Sequence, residues 1–286
     1  MRPIHRQNIA VKNGFSLVEI AVVLVILTIL LSTLAMPIAG QLRQRRMSET
    51  QRLLDMAQQA LIGYASANGR LPCPATDGAT IGSVNSFGDE RFASAGDSAL
   101  TGKCEYWAGY LPAVALGLSP LDSQGFMVDA WGLRANRIRY AVWGSDVVLP
   151  GLVSYPFTKT NGMKTATTTV LADTNTATPF LMICQSAPLG TPLPSATVAG
   201  TTSACGAGVV KLADRAPAII YSLGENAAAA SPGLDEAFNA KTTANQTFAF
   251  VSHVQTAGPT NAFDDIVNWI SLSVLFNNMQ AAGRFP

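Results

Sequence analysis

The chain has 286 residues, and 19 Lys and Arg against 18 Asp and Glu give a formal net charge of +1. Setting aside Arg2, Arg6 and Lys12 near the start leaves 16 basic residues against the 18 acidic ones, a net of −2, so the body of the protein has no electrostatic case for nucleic-acid binding. Only 13% of residues are charged, while Ala, Thr, Ser, Gly and Pro abound; this texture predicts an exported, loop-rich, β-containing domain rather than a cytosolic enzyme.

The chain opens with the short basic stretch MRPIHRQNIAVKNG, then a run of 22 residues, Phe15–Met36, in which Glu19 is the sole charge. As a helix rising ~1.5 Å per residue the run reaches about 33 Å, enough for a hydrocarbon core of ~30 Å. It is long for a signal-peptide apolar region of roughly 7–15 residues, and Thr33-Leu34-Ala35 is a weak cleavage site. A carboxylate at the centre of such a helix costs roughly 2.5–3.5 kcal/mol, and less toward its end, so Glu19 needs a partner. Basic residues flank the run on both sides, with Arg43, Arg45, Arg46 and Arg52 following it, so charge bias leaves its orientation open.

Beyond Pro37, where a kink is expected, an amphipathic pattern continues. Leu42, Leu53, Met56, Ala57, Ala60, Leu61 and Tyr64 follow a helical stripe that ends near Asn68-Gly69, with LPCP as the stop. From Leu71 the texture turns to Gly, Pro, Ser and Asp. Residues 107–118, WAGYLPAVALGL, read as a short helix or a turn-rich segment. Strands are predicted at Arg137–Trp143, Phe180–Cys184, Ala218–Leu223 and Thr247–His253. Two Thr/Ala/Pro-rich tracts, TKTNGMKTATTTVLADTNTATP and SAPLGTPLPSATVAGTTSAC, read as surface excursions. The segment DDIVNWISLSVLFNNMQAAG predicts a second amphipathic helix with Ile266, Ile270 and Val274 on one face.

Cys73, Cys104, Cys184 and Cys205 all follow the apolar run and permit three disulfide pairings. Pairing sequence neighbours would close loops of about 31 and 21 residues, each contributing ~2–4 kcal/mol in the usual range; buried free thiols are the alternative, and an even count beyond a membrane segment favours disulfides in an oxidising compartment. His5 and His253 are the sole histidines, and no G-x-S-x-G, H-E-x-x-H, Walker A or G-x-G-x-x-G pattern is present. Trp107, Trp131, Trp143 and Trp269 read as core or interface anchors. No enzyme is expected.

Gly14-Phe15-Ser16-Leu17-Val18-Glu19 heading an apolar run resembles the signature of type IV pilins and type II secretion pseudopilins. The resemblance implies a leader, residues 1–14, cut after Gly14 by a prepilin peptidase. It also implies N-methylation of the new terminal Phe15, and a Glu19 that pairs with the terminal amine of a neighbouring subunit during filament assembly. Pro37 lies one residue later than the position commonest in that family. The implied fold is α+β, a long N-terminal helix packed on an antiparallel β-sheet domain with loop insertions. Residues 15–36 would be its membrane and assembly half, 37–68 its amphipathic half, and 69–286 a periplasmic globular domain. Asp129-Ala130-Trp131-Gly132 with Arg139-Tyr140 resembles a further segment of major pseudopilins, as do Ser222-Leu223-Gly224-Glu225-Asn226 and Phe263-Asp264-Asp265-Ile266. That last region implies a possible calcium site, to which Glu225, Asn226, Asp235, Asp264 and Asp265 would contribute oxygens; Asp264 and Asp265 read equally well as a helix cap. The expected partners are the peptidase, other subunits, an inner-membrane assembly platform and the membrane. The expected location is a single pass in the inner membrane, then the filament. The chain is longer than a usual major subunit, which favours a minor one, and Glu19 argues against the glutamate-lacking tip subunits. A minor subunit binding cargo, a surface or DNA is the alternative.

Overall fold

The computed structural model describes residues 14, 16–78, 87–94, 96–143, 155–164, 181–187, 205, 208–229, 233–240, 249–256 and 262–284, with backbone alone for 32–39. Two compact units divide the chain, Met1–Arg46 and Met47–Pro286. Helix α1, Leu17–Asn68, runs through Pro37.

In the first unit every described side chain of α1 is exposed, and those from Leu17 to Leu31 are apolar apart from Glu19 and Thr28: Leu17 is 88% exposed and Leu31 66%. The second unit begins within α1, where the burial pattern reverses. Leu54, Ala57, Leu61 and Ala65 are fully buried at helical spacing, in one core with Tyr140, Val142, Ile220 and Ile270. Polar side chains add to this packing: Gln51 Nε2 donates to Asn268 Oδ1 at 3.1 Å, and Gln58 Nε2 to the Trp269 carbonyl at 3.3 Å. The helix ends at Gly69, whose φ of +69° only glycine adopts at little cost. Arg284 donates to the last-turn carbonyls of Ser66 and Ala67, as suits a cation at a helix C-terminus.

The main sheet is antiparallel in the order β1-β2-β5-β7: β1 (Ala108–Tyr110), β2 (Arg139–Val142), β5 (Ala218–Ser222) and β7 (Ile266–Ile270). A second sheet has the order β4-β3-β6: β3 (Leu181–Cys184), β4 (Lys211–Ala216) and β6 (Ala249–Val251). Here β3 runs antiparallel to β4 and parallel to β6, so the expectation of purely antiparallel pairing fails at that one pair. Later in the chain lie helices α2 (Leu234–Asn239) and α3 (Leu272–Ala281).

Three sequence expectations change. Residues 107–118 contribute strand β1 and then turns at 113–117, so of the two readings the turn-rich one holds and the helix does not. The predicted C-terminal helix is a strand followed by a helix: Ile266–Ile270 pairs along β5, and Ser271 Oγ then accepts the Val274 N–H to start α3. Spacing of four is even, so Ile266 and Ile270 satisfy a strand's period of two as well as a helical stripe, and the β-branched, aromatic composition decides for strand. The first Thr-rich tract is not wholly a surface excursion. Thr158 and Met163 are buried, and Thr158 Oγ1 donates to the Gly102 carbonyl at 2.6 Å. Residues 165–179 and 188–204 of the two tracts lie outside the described residues.

Candidate functional site

At the start of α1, Ser16 occupies the cap position. Its carbonyl accepts the Glu19 and Ile20 N–H groups at 3.0 and 3.2 Å, and Glu19 Oε2 accepts the Ser16 backbone N–H at 3.4 Å. Serine followed three residues later by glutamate is the capping-box spacing, and the carboxylate lies where the helix dipole is positive. Gly14 and Glu19 are exposed, while Phe15 lies outside the described residues. Among the described residues no helix is long and apolar enough to cross a membrane; of the run Phe15–Met36, side chains are described for 16–31.

The second unit joins the two later motif segments through Asp129. This buried carboxylate accepts the Trp131 N–H at 2.9 Å, Asn136 Nδ2 at 3.1 Å and Ser222 Oγ at 2.6 Å. Asn136 Nδ2 also donates to the Gly224 carbonyl, and the Gly224 N–H donates to Ser222 Oγ at 3.1 Å. Burial pushes the Asp129 carboxyl above its ordinary range, opposed by the hydrogen bonds from Ser222, Trp131 and Asn136. Gly224 is required here. Its φ is +66°, and a Cβ would meet Asp264 Oδ1 at 2.2 Å and the Asp264 carbonyl at 2.6 Å.

That close approach belongs to a buried acidic cluster. Carboxylate oxygens of Glu236, Asp264 and Asp265 lie within 4.8 Å of one another, and the residues are 2%, 4% and 4% exposed. Glu236, in the first turn of α2, accepts Asn226 Nδ2 on both oxygens at 2.8 Å and the Asp264 N–H at 3.1 Å. Asp264 Oδ2 accepts the Glu225 N–H at 3.0 Å, and Asp265 Oδ2 accepts Asn239 Nδ2 at 2.9 Å. Among the described residues, Asp265 Oδ1 is buried with no hydrogen-bond partner. Burial first, then the charges of Glu236 and Asp264, hold the Asp265 carboxyl well above the ordinary carboxylate range. At a separation of 4.8 Å two like charges repel by about 3.5 kcal/mol for an effective dielectric of ~20. Such a cluster holds a proton or a cation.

Of the five residues named from sequence for calcium, Asp264 and Asp265 enter this cluster. Glu225 and Asn226 border it, through a backbone N–H and a side-chain amide. Asp235 instead accepts the Ala187 N–H at 2.6 Å and faces His253 Nε2 at 3.1 Å. Glu236 is the member that sequence reasoning missed. The signal was the adjacent pair Asp235-Glu236 on a helix, where a turn of about 100° per residue lets one face inward while the other faces away.

His253 stacks on Phe263 at 3.9 Å between ring centroids, and its Nδ1 meets the Val254 carbonyl at 2.8 Å. Nε2, through Asp235, links the segment after β6 to α2, while Nδ1 is engaged by its own chain neighbour. The four cysteines form two bridges between sequence neighbours, Cys73–Cys104 and Cys184–Cys205, each with Cα atoms 5.4 Å apart. Trp107 and Trp143 are core residues, while Trp131 and Trp269 are half-buried.

Among known proteins, no curated protein and no solved structure matches the chain. One family model does, over residues 10–35, and it describes a structural rather than an enzymatic signature. The chain carries the prokaryotic N-terminal methylation motif, the type IV pilin and pseudopilin signature, at the head of its first helix.

Proposed function

We propose that this chain is a minor pilin-like or pseudopilin subunit of a type II secretion pseudopilus or type IV pilus, anchored in the inner membrane by Phe15–Met36 before it enters the filament. The observation that carries the reading is the methylation motif at residues 10–35, set on a helix whose side chains from Leu17 to Leu31 face outward. Cutting after Gly14 by a prepilin peptidase creates an amine at Phe15, which is then N-methylated. Glu19 belongs to the first turn of the helix and lies beside the Ser16 nitrogen, the right end of the chain to meet a protonated amine. Two charges that are each costly in lipid neutralise one another when the amine of one subunit reaches Glu19 of the next. Buried ion pairs serve register better than stability, so the pair selects one axial stagger. A Glu19→Ala chain is then processed normally but enters filaments at least tenfold less well, read by immunoblot of sheared filaments against membranes. Full incorporation would refute the pairing. The long chain and its Thr/Pro-rich segments suit a minor subunit, because such bulk crowds a packed shaft.

A second reading concerns the acidic cluster, and Asp265 Oδ1, without a partner among the described residues, favours it. Glu236, Asp264 and Asp265 would hold a hard divalent cation such as calcium, which takes six to eight oxygens, roughly, at 2.3–2.6 Å. The cation would supply the positive charge that three buried carboxylates lack, tying the Gly224–Asn226 turn, α2 and the start of β7 together.

A further inference from the structure

We propose that Arg43, Arg45 and Arg46 form a collar that binds anionic phospholipid headgroups on the face of the membrane where the globular domain lies; this rests on the anchor reading above. All three side chains are exposed on α1. With the leader removed, no Lys or Arg precedes Arg43, so these are the first positive charges of the mature chain. Arg52, farther along the helix and paired with Glu49 at 2.6 Å, serves as the control.

Position fits the headgroup layer. If Phe15–Met36 fills the hydrocarbon core, a rise of ~1.5 Å per residue puts Arg43 about 10 Å and Arg46 about 15 Å beyond its end. Long arginine side chains reach back from there toward phosphates while their stems stay along the helix. Distribution around the helix argues for lipid over a protein partner. Successive residues turn by about 100°, so positions 43, 45 and 46 point to different sides. Lipids surround a single helix and meet a collar from every side, whereas a neighbouring chain on one side is best met by a stripe. The guanidinium fork matches a phosphate oxygen pair, and juxtamembrane arginines are drawn to anionic leaflets.

The test uses the full chain in nanodiscs of equal phosphatidylglycerol and phosphatidylcholine, with native mass spectrometry counting the lipids that stay bound. Phosphatidylglycerol is retained over phosphatidylcholine by roughly tenfold. The triple variant Arg43→Gln, Arg45→Gln, Arg46→Gln loses that preference, and Arg52→Gln keeps it. A triple variant with unchanged preference, or a wild-type chain with none, overturns the collar. A triple variant that keeps its lipid preference but loses cross-linking between copies assigns the arginines to a neighbouring chain and also overturns it. Insertion is scored separately by protection of the apolar run from protease: a chain that stays outside the disc refutes the anchor itself, while one that inserts without selecting lipid refutes the collar alone.

Discussion

Replacing Asp129 by alanine should unfold the globular unit well below the wild-type temperature. The carboxylate accepts three hydrogen bonds, from Trp131 N, Asn136 Nδ2 and Ser222 Oγ. Bonds to a charged acceptor contribute ~1.5–3 kcal/mol each, and orphaned buried donors cost ~1–3 kcal/mol. Two donors keep other company, since Asn136 Nδ2 still reaches the Gly224 carbonyl and Ser222 Oγ the Gly224 N–H. Removing a buried carboxylate also relieves its desolvation, the leading influence on its titration. The balance is a loss of about 3–5 kcal/mol, or roughly 6–20 °C in Tm for a domain of this size. The assay is intrinsic fluorescence of the full chain in detergent, because Trp107, Trp131, Trp143 and Trp269 all belong to the second unit. The pH profile supplies a further check. The folded carboxyl binds its proton more tightly than the ordinary value of 3.8, so protonation adds an increment of stability that is fully present below that pH and is lost as pH rises through the folded value, leaving the hydrogen bonds to the ionised carboxylate. Asp129→Asn removes that slope. A Tm for Asp129→Ala within 2 °C or so of wild type would show that the motif segments are held by other contacts.

Three further outcomes follow from the same packing. Cys73→Ser with Cys104→Ser opens a bridge of sequence separation 31 and costs about 3–4 kcal/mol by loop entropy; an unchanged denaturation midpoint would show that bridge to be energetically idle. Adding millimolar calcium raises the Tm of the wild-type chain by several degrees and that of Asp265→Asn by far less, while equal shifts in both would place the effect elsewhere. Gly224→Ala costs more than 2 kcal/mol or so, because a left-handed non-glycine residue is strained and its Cβ would meet the Asp264 carboxylate and carbonyl. A fully stable variant at that position would contradict the described turn.

Much of the fold can be read from residues whose local preference agrees with their place. Of the stripe read in α1, Leu53, Ala57 and Leu61 are buried, Met56, Ala60 and Tyr64 half-buried and Leu42 exposed, while Leu54 and Ala65 complete the buried face and Gly69 marks the end. Strands β2 and β5 carry aromatic and β-branched residues (with Arg139 their sole charge) and are buried along their whole length. Strand β4, Lys211–Ala216, went unread because it is an edge strand: Lys211, Leu212 and Asp214 are exposed, and charges on such an edge discourage pairing with other chains. Its Arg215, at φ +56°, breaks the alternation that would have revealed it. The acidic cluster was half legible. Asp264-Asp265 stood out as a pair, but Glu236 reaches them from a six-residue helix too short to show a period. Glu19 was legible because a charge in an apolar run demands an explanation wherever it falls.

The fate of the first fourteen residues decides whether this chain is processed as a pilin, and mass spectrometry of the N-terminus of the protein made in its native cell reads it directly. The expected mature chain begins at N-methylated Phe15, with Gly14 the last residue lost. A chain that keeps Met1, or that begins after Ala35, would contradict it.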